Sequence, residues 1–456
     1  MNDDTIVARS TPPGKSGIAV IRISGPEMLT ILKKIFHSNR MEFESHHAYH
    51  GWIHDKDEQV DEVVVTLFLN PNSYTGEDVC EISCHGGTFI SQRIVNLIVR
   101  LGARPAERGE FTQRAFLNGK MDLTQAEAVM DLIHSQTEAS RRMSVQQLDG
   151  ALSHRINAMR DQLIQACSFL ELELDFGEED VAFASRDELN QMMNQILEET
   201  NSFISSYQRG RLCKDGVRMV IVGRPNVGKS SILNSLLERE RAIVTETPGT
   251  TRDTIEDILD MEGMLFIITD TAGIREIGDP IETEGVRRAE EALKVADLIL
   301  LVLDRSEKLT PEDEVVIQKA LSMSKPILCV LNKADLQMNL ETEKIRGLLG
   351  KTKIFALSTK TGAGVDKLIG LMLESAISDS SLQAGDMVIC RARHLDCLAR
   401  TRNSLEQAIS SLEQNVSQEL LALDIRGAAD ALGEMTGEIT SEEILDKIFS
   451  EFCIGK

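Results

Sequence analysis

The chain has 456 residues, a formal net charge of −23 and an isoelectric point near 4.9. This length exceeds one typical hydrophobic core and predicts two or three domains. Because nucleic-acid binding relies on a basic footprint, the charge argues against strong autonomous binding of RNA or DNA, unless a local basic surface or a partner supplies that footprint.

The opening residues lack a signal-peptide pattern, and the longest apolar run, residues 298–303, is too short to cross a membrane. Eight cysteines are scattered without a metal-type C-x-x-C pair. These features predict a cytoplasmic protein with reduced thiols. Cys80, Cys84 and His85 do cluster, but the two cysteines alternate with Glu81 along a strand-like segment. We therefore interpret them as packed thiols rather than metal ligands.

Residues 1–120 have the pattern of a mixed α and β domain. Three segments, 18–25, 60–69 and 78–87, are strand-like and are separated by glycine and proline. The expectation is a sheet with a small number of helices.

A helical region follows over residues 123–174. Thr124 and Glu127 have the spacing of a capping box, and the run after them contains no proline. A glycine and several acidic residues then end the run. A serine and a glutamate form a second capping-box pattern, which predicts another helix over residues 185–207.

Residues 223–230, GRPNVGKS, match the G-x-x-x-x-G-K-[ST] phosphate loop, and they lie between an apolar run and a helical stretch. Gly223 and Gly228 permit backbone geometry that turns successive N–H groups onto a polyphosphate. In this pattern Lys229 reaches the β- and γ-phosphates, and Ser230 offers its hydroxyl to Mg²⁺. The segment predicts binding of a nucleoside triphosphate.

Two segments that end apolar runs refine this prediction. Asp270 and Gly273 form a D-x-x-G pattern, in which the carboxylate serves the Mg²⁺ shell and the glycine N–H senses the γ-phosphate. Residues 332–335 form N-K-x-D, and the Asp335 carboxylate would accept two hydrogen bonds from guanine. Adenine offers neither donor, so this acceptor, expected to be buried, would reject ATP.

The remaining base contacts come from two loops. Asn332 and Lys333 would brace the base loop and lie against guanine. Ser358, Thr359 and Lys360 end a third strand-like run, where backbone N–H groups can meet guanine O6. Each motif ends a strand, as expected at the carboxyl edge of a parallel sheet. Together they predict a GTPase domain of the translation-factor-like type.

Ile274 stands where Ras-like enzymes carry the glutamine that orients water. An apolar side chain cannot polarise water, so hydrolysis is either very slow or depends on another group. The candidates are nearby charged residues, each of which could equally be a solvated charge on a switch loop: Glu276, Glu282, Glu284, Arg252 and Arg275. Residues 245–253 occupy the position of the first switch loop and include several threonines able to complete the Mg²⁺ shell.

After a polar segment, apolar residues recur at helical spacing over residues 405–423, which predicts one face of a single helix. These residues are Leu405, Ile409, Leu412, Val416, Leu420 and Leu423.

The economical architecture is a GTPase domain inserted into a helical domain. The expected divisions are an α+β domain over 1–120, a first helical part over 121–215, a GTPase domain with a mostly parallel sheet over 216–378, and a second helical part over 379–456. The fold class is therefore multidomain, α/β plus α.

Motifs along the whole length resemble the tRNA modification GTPase MnmE (TrmE) family. They are TPPG, IRISG, TGEDVCE, HGG, GEFTQRAFLNGKMDLTQAEA, GRPNVGKSS, GTTRD, DTAGIRE and FCIGK. The outer motifs separate this family from ribosome-assembly GTPases, which share the central ones. The resemblance implies a folate-binding-like N-terminal domain, a discontinuous helical domain and an inserted GTPase domain.

The resemblance also implies a K⁺-dependent GTPase that forms a homodimer and is activated when its GTPase domains meet. An FAD-dependent partner protein would join it in a heterotetramer. Together they would install an aminomethyl-type group, carboxymethylaminomethyl, at C5 of the wobble uridine in certain tRNAs. The carbon would come from 5-formyl- or methylene-tetrahydrofolate.

Matched position by position, the resemblance implies a GTP site formed by Asn226, Val227, Gly228, Lys229, Ser230, Ser231, Thr245, Thr250, Thr251, Asp270, Gly273, Asn332, Lys333, Asp335, Ser358, Thr359 and Lys360. Ser230 and Thr251 would hold Mg²⁺. The K⁺ ligands would be Asn226, Thr245, Thr247 through its carbonyl, and Thr250. This K⁺ would supply positive charge where an arginine finger otherwise acts. Glu282 matches the family's water-activating glutamate.

A folate site built by Arg22, Glu81, Lys120 and Lys456 is also implied by the resemblance. From the residues alone, these are scattered charges that could form surface salt bridges. Cationic groups suit the glutamyl carboxylates of folate, and a carboxylate suits the pterin edge. Cys453 would approach the reaction centre, and both a catalytic role and no chemical role remain open for it.

Three functions compete at this point. The first is a tRNA-modifying GTPase. The second is a regulatory or assembly switch whose chemistry is GTP hydrolysis alone. The third is a nucleotide-gated scaffold with negligible turnover, which the isoleucine at position 274 would suit.

Overall fold

The protein, described by a computed structural model, divides into two compact units. The structure describes residues 4–39, 42–175, 185–239, 241–242, 256–270, 290–376, 387–414 and 416–456. One unit comprises Met1–Ile133, Ser144–Glu198 and Cys397–Lys456, and the other comprises His134–Met143 and Glu199–Asp396. The first unit thus draws on both ends of the chain.

A seven-stranded sheet forms the N-terminal part of the first unit within the described residues. Its strands are β1 (Ile6–Arg9), β2 (Ile18–Ser24), β3 (Phe36–His37), β4 (Ala48–Asp55), β5 (Glu58–Phe68), β6 (Val79–His85) and β7 (Arg104–Pro105). The spatial order is β3-β4-β5-β6-β2-β1-β7, and neighbouring strands are antiparallel except for β1 and β7. The three strand-like segments expected from the sequence are confirmed.

One face of this sheet is buried. The connections carry α1 (Met28–Ile35), α2 (Thr88–Arg100) and α3 (Glu110–Leu117). Ile21, Ile23 and Ile82 are fully buried in a core shared with α1 and α2. Because side chains alternate along a strand, Arg22 and Glu81 belong to the opposite face.

The clustered cysteines are packed thiols, as expected. Cys80 and Cys84 are buried in the same core, and burial raises the pKa of Cys84 to about 11. His85 instead pairs with the buried Asp61 through its Nδ1, at 2.6 Å. No group of His, Cys, Asp or Glu able to hold a metal occurs in the part of the chain that the structure describes.

The helical stretch expected over residues 123–174 is in fact three helices. These are α4 (Leu123–His134), α5 (Glu138–Leu148) and α6 (Ala151–Asp175). Gly150, between α5 and α6, has φ of +85°, a conformation that favours glycine over other residues.

The capping box expected at Thr124 and Glu127 is wrong by two residues. Asp122 Oδ1 accepts from the Gln125 N–H at 3.0 Å, and Gln125 Oε1 accepts from the Asp122 N–H at 3.0 Å. Thr124 is already inside the helix, fully buried, with its hydroxyl 2.7 Å from Ser153 Oγ. The true box uses Asp and Gln, which satisfy the same two donors as Ser/Thr and Glu.

The second capping box is confirmed. The Ser185 N–H donates to Glu188 Oε2 at 3.0 Å, and the Glu188 N–H donates to Ser185 Oγ at 3.2 Å. The helix that follows, α7 (Arg186–Asp215), continues beyond residue 207 to the start of the next strand.

A second seven-stranded sheet lies in the other unit, within the described residues. Its strands are β8 (Val217–Val222), β9 (Arg241–Ala242), β10 (Glu256–Met261), β11 (Met264–Asp270), β12 (Leu298–Asp304), β13 (Ile327–Asn332) and β14 (Lys353–Ala356). The order is β14-β13-β12-β8-β11-β10-β9, parallel from β14 to β11 and antiparallel beyond. All seven residues of β12 are buried, as expected for a central parallel strand.

Helices accompany this sheet and connect its strands. They include α8 (Lys229–Arg239), α9 (Pro311–Ser322), α10 (Thr342–Leu349) and α11 (Val365–Ala376). The carboxyl ends of β8, β11 and β13 lead directly into the phosphate-loop, D-x-x-G and N-K-x-D segments, as predicted.

The last part of the chain forms α12 (Ala392–Glu413), α13 (Gln418–Thr436) and α14 (Glu442–Ser450). The single helix expected over residues 405–423 is therefore wrong. Leu405 is fully buried, whereas Leu420 and Leu423 are 52% and 64% exposed, because the chain turns between α12 and α13. Helix α13 packs along α6. The described helices include none that is long and apolar enough to span a membrane.

Candidate functional site

The phosphate loop connects the buried strand β8 to α8, which begins at Lys229. Neither of its two glycines has room for a side chain. A Cβ on Gly228, whose φ is +100°, would lie 2.1 Å from Asn332 Nδ2, and a Cβ on Gly223 would lie 2.5 Å from the Val302 carbonyl oxygen. The loop therefore fits a phosphate cradle that only glycine at these two positions allows.

The interior of the loop is ordered by its own backbone. Asn226 adopts φ of +62°, a left-handed conformation that asparagine tolerates better than most residues. The buried Lys229 ammonium donates to the carbonyl oxygens of Gly223 and Arg224, at 2.9 and 3.0 Å. Val227 is fully buried, and Ser231 is exposed on the first turn of α8.

A hydroxyl and a carboxylate meet beside the loop. Ser230 Oγ donates to Asp270 Oδ2 at 2.7 Å, and Asp270 is 9% exposed at the end of β11. Burial, and then the nearby charge of Asp270, raises the pKa of Asp257. Oxygen ligands of this kind suit Mg²⁺, which often binds through one or two protein oxygens together with phosphates.

Asn332 joins three motifs. It is fully buried, and its Nδ2 donates to the Val227 carbonyl at 2.8 Å. Its Oδ1 accepts from the Thr359 N–H at 3.4 Å. The amide therefore holds the phosphate loop and the 358–360 loop to the end of β13, which is the bracing role predicted for it.

Asp335 differs from expectation in one respect, because its side chain is exposed rather than buried. Ser358, itself 1% exposed, donates to Asp335 Oδ1 at 2.7 Å and holds the pKa of this carboxyl below its usual value. The carboxylate is therefore charged, exposed, and held at its Oδ1 by Ser358. Thr359 is half-buried and Lys360 is exposed.

Lys333 is engaged with a residue that the sequence motifs do not single out. Its ammonium lies 2.5 Å from Asp304 Oδ2, at the end of β12. Burial would raise the pKa of Asp304, but hydrogen bonds from Lys333 and Ser306 outweigh it and lower the pKa. The pair fixes the stem of the base loop against the neighbouring strand.

Arg224, inside the phosphate loop, makes contacts that the sequence motifs also did not predict. Its side chain is ion-paired with Glu307 and lies 3.3 Å from Asp313, which belongs to the capping box of α9. The sequence features that could have indicated these contacts are an arginine in the variable part of the loop and the acidic run at 312–314. Arg224 ties the phosphate loop to the segment after β12.

A second constellation lies in the first unit, on the face of the N-terminal sheet opposite the core. Arg22 on β2 and Glu81 on β6 are directly paired residues, and their side chains form a salt bridge at 2.7 Å. The Arg22 guanidinium also stacks over the rings of Tyr74 and Phe111, at 5.2 and 5.6 Å from their centroids.

The tail segment Cys453–Lys456 reaches this pair. The Gly455 carbonyl accepts from Ser10 Oγ at 3.2 Å and from Arg22 Nη1 at 3.5 Å. Burial, and then the charge of Arg22, lowers the pKa of Lys456, whereas Glu81 opposes this change. The structure therefore brings together three of the four residues expected for a folate site.

The fourth folate-site residue, Lys120, and the separately expected Cys453 lie differently. Lys120 donates to the Pro71 carbonyl at 2.9 Å, and no contact with Arg22 or Glu81 is seen among the described residues. Cys453 is exposed, and its carbonyl accepts from the Lys456 N–H at 3.3 Å. Its thiol is accessible to solvent.

Comparison with known proteins covers the whole chain. The family model described as the MnmE helical domain matches residues 123–453, and the model described as the GTP-binding protein TrmE N-terminus matches residues 5–120. The tRNA modification GTPase MnmE of Natranaerobius thermophilus is 44% identical over 100% of both chains. That of Cytophaga hutchinsonii is 44% identical over 99% of this chain and 98% of its own.

The chain belongs to the MnmE family of tRNA modification GTPases. As an MnmE-family protein it is a GTP-hydrolysing enzyme, so the hypothesis of a scaffold with negligible turnover is not supported. The multidomain fold class is also confirmed. Among solved structures, Era of Aquifex aeolicus bound to GDP·AlF4⁻ is 28% identical, with a TM-score of 0.30, over 41% of this chain and 66% of that chain.

Several expected site residues of this MnmE-family chain lie outside the described residues. They are Thr245, Thr247, Thr250, Thr251, Arg252, Gly273, Ile274, Arg275, Glu276, Glu282 and Glu284. Their roles in Mg²⁺, K⁺ and water binding stay predictions.

Proposed function

We propose that this enzyme installs a carboxymethylaminomethyl group at C5 of the wobble uridine in certain tRNAs, together with an FAD-dependent partner and a tetrahydrofolate one-carbon unit. The supporting observation is the Arg22–Glu81 pair, with the half-buried Lys456 held beside it by the docked tail. A GTPase needs none of these groups for hydrolysis, so they favour a second ligand.

The chemistry of this site suits a reduced folate such as 5-formyl- or methylene-tetrahydrofolate. The cations of Arg22 and Lys456 match the glutamyl carboxylates, and Glu81 matches the amine edge of a pterin. Lys120 would lie at the margin of the folate site. Its side-chain Cγ would be 3.3 Å from a Cβ added at Gly76, and Gly76 is in the same loop as Tyr74, whose ring lies under Arg22. When bound, the folate supplies the transferred carbon.

For the nucleotide site we propose GTP, with the Asp335 carboxylate as acceptor for guanine N1–H and the exocyclic amine. Mg²⁺ would be held by Ser230 and Thr251, and K⁺ by Asn226 with the threonines of residues 245–250. Glu282 would position the attacking water. The charged, exposed carboxylate of Asp335 and the positive φ of Asn226 support these assignments.

We propose the division into domains at 1–120, 121–215, 216–378 and 379–456, a homodimer, and activation when two GTPase domains meet. The family-model matches support the division into domains, since the helical-domain match begins before and ends after the second sheet. The competing hypothesis, a regulatory switch, would need GTP hydrolysis alone and no folate.

The experiment is folate binding by a variant in which the tail cannot dock. Gly455 has φ of +94°, and a Cβ there would lie 2.6 Å from the Arg9 carbonyl oxygen. Gly455→Ala should weaken 5-formyl-tetrahydrofolate binding about tenfold, which is the loss of roughly one charge-assisted contact. Gly102→Ala is the matched control, because Gly102 also has a positive φ, +116°, but no atom lies within 4 Å of its added Cβ.

Absence of folate binding by the wild-type protein would instead favour the regulatory switch. Mass spectrometry of wobble uridines from cells lacking the protein would then test the modification directly. Unchanged nucleosides in those cells would contradict the proposed function.

A further inference from the structure

A second basic feature lies at the amino edge of the second sheet. The loops that precede β13 and β14 and the last turn of α11 line an open pocket of about 410 Å³. We call it the lysine pocket, and its polar lining consists of Lys325, Lys351, Lys353, Thr352 and Ser375. Neither the nucleotide site nor the Arg22–Glu81 site uses any of these residues.

Two turns build the lysine pocket. Ser324 and Gly350 have φ of +53° and +58°, so each loop reverses through a left-handed residue just before its lysines. The Thr352 N–H donates to the Leu349 carbonyl at 3.1 Å, which fixes the second loop. Three lysine residues, two on separate loops and one at the start of β14, thereby line one concave surface.

The lining chemistry favours an anion. Ammonium groups only donate hydrogen bonds, and the hydroxyls of Thr352 and Ser375 can also donate. No carboxylate is present among the described residues that line the pocket. Lys353 is paired with Glu374 at 2.8 Å, so this carboxylate compensates the charge of Lys353 but not the charges of the other two lysines. The floor is apolar, formed by residues such as Leu328 and Leu349.

The lysine pocket lies far from the phosphate loop. Strand β13 begins beside the pocket at Ile327 and ends at Asn332, which braces the phosphate loop. A strand of this length separates its ends by about 17 Å, at roughly 3.3 Å per residue. GTP held at the carboxyl edge therefore cannot place its phosphates in the lysine pocket.

We propose that the lysine pocket binds a phosphodiester group of the tRNA backbone. The family acts on tRNA, yet the chain carries a net charge of −23, so an RNA phosphate needs a local basic surface. The lysine pocket provides such a surface with donors only. The proposal rests on membership of a tRNA modification family and does not depend on folate.

The test is tRNA binding by the full-length protein with Lys325→Gln and Lys351→Gln combined. At about 0.1 M salt the affinity should fall roughly tenfold, and the slope of log K against log salt should decrease in magnitude by about 0.7 to 0.9, as expected when one phosphate is no longer neutralised. The matched control combines Lys344→Gln and Lys367→Gln, which removes the same charge from exposed positions of α10 and α11 outside the pocket. GTP hydrolysis should stay unchanged in both variants.

Equal losses of tRNA affinity in the two double variants would show a bulk charge effect and overturn the proposal. So would unchanged affinity in the pocket variant, or no tRNA binding by the wild-type protein at about 50 mM salt. If the pocket variant lost binding of inorganic pyrophosphate but kept tRNA, the pocket would bind free phosphates rather than RNA. A lowered melting temperature without a change in tRNA affinity would mean that the lysines only compensate the carboxyl ends of neighbouring helices.

Discussion

Gly228→Ala offers a direct test of how the phosphate loop is held. Residue 228 has φ of +100°, and a left-handed alanine costs about 1 to 2 kcal/mol. The added Cβ would also lie 2.1 Å from Asn332 Nδ2, so the buried amide must leave the Val227 carbonyl that it now meets at 2.8 Å. Loss of that bond adds roughly 1 to 3 kcal/mol.

If the cost of losing the Asn332–Val227 hydrogen bond is expressed in nucleotide binding, the Kd for GTP should rise about 5- to 150-fold. Gly263→Ala is the control, since Gly263 has φ of +87° but no atom lies within 4 Å of its added Cβ. This control should show only local strain, with an unchanged Kd. Fluorescent nucleotide titration measures both variants.

A double-mutant cycle separates the clash from the backbone strain. Asn332→Ala removes both the clash and the hydrogen bond, so its cost should be smaller in the Gly228→Ala background than in the wild type. The coupling energy should be about 1 to 3 kcal/mol. Additive effects, or equal Kd values for the Gly228 and Gly263 variants, would refute the argument that the amide and the loop depend on each other.

Three further predictions concern the base site, the cation and acid stability. Asp335→Asn keeps an oxygen that can accept from Ser358 but loses the charged acceptor for guanine, so the affinity for GTP should fall about 10- to 150-fold. The affinity for ITP, which lacks the exocyclic amine, should fall less. Equal losses of affinity for the two nucleotides would contradict the assignment. GTP hydrolysis should be much faster in KCl than in NaCl at equal ionic strength, and equal rates would contradict the K⁺ assignment of Asn226. The hydrogen bond from Arg104 lowers the pKa of Asp4, so this carboxylate stabilises the fold above its ordinary pKa of about 4, and the benefit is lost as the pH falls through the lower folded value. Asp4→Asn should therefore lower the melting temperature at pH 7 by an amount equivalent to about 1 kcal/mol or less, and the difference from wild type should vanish once the pH falls below the lowered folded-state pKa of Asp4.

The parts of the nucleotide site that the sequence predicted well are those fixed by local geometry. The phosphate loop, the D-x-x-G strand and the N-K-x-D strand each combine a buried apolar run with a polar end. In a parallel sheet such ends meet at one edge whatever the rest of the chain does. The contacts of Arg224 and Asp304 were missed because they join segments about 80 and 30 residues apart, and only the fold shows which charges meet.

The failures in the helical parts have a different cause. Apolar spacing over 405–423 matches one helix face, but two helices joined by a short turn can present nearly the same spacing. The exposed side chains of Leu420 and Leu423 show that the apolar spacing continues along the sequence although the residues do not form one buried helix face. The capping box was misplaced because Asp122 and Gln125 satisfy the same donors as the Thr124 and Glu127 pattern chosen from the sequence.

The Arg22–Glu81 site shows how a scattered set of charges becomes a site. The neighbouring strands β2 and β6 place Arg22 directly opposite Glu81. A cross-strand salt bridge of this kind is common on the surface of antiparallel sheets, where it contributes little to stability. Two features make a merely structural role a poor explanation. The Arg22 side chain lies over two aromatic rings and is only 13% exposed, and the tail from the far end of the sequence brings Lys456, a second cation, beside it. Bringing like charges together is unfavourable unless anions offset their repulsion. Glu81 supplies one negative charge for the two cations, and a carboxylate of the proposed folate would offset the positive charge that remains.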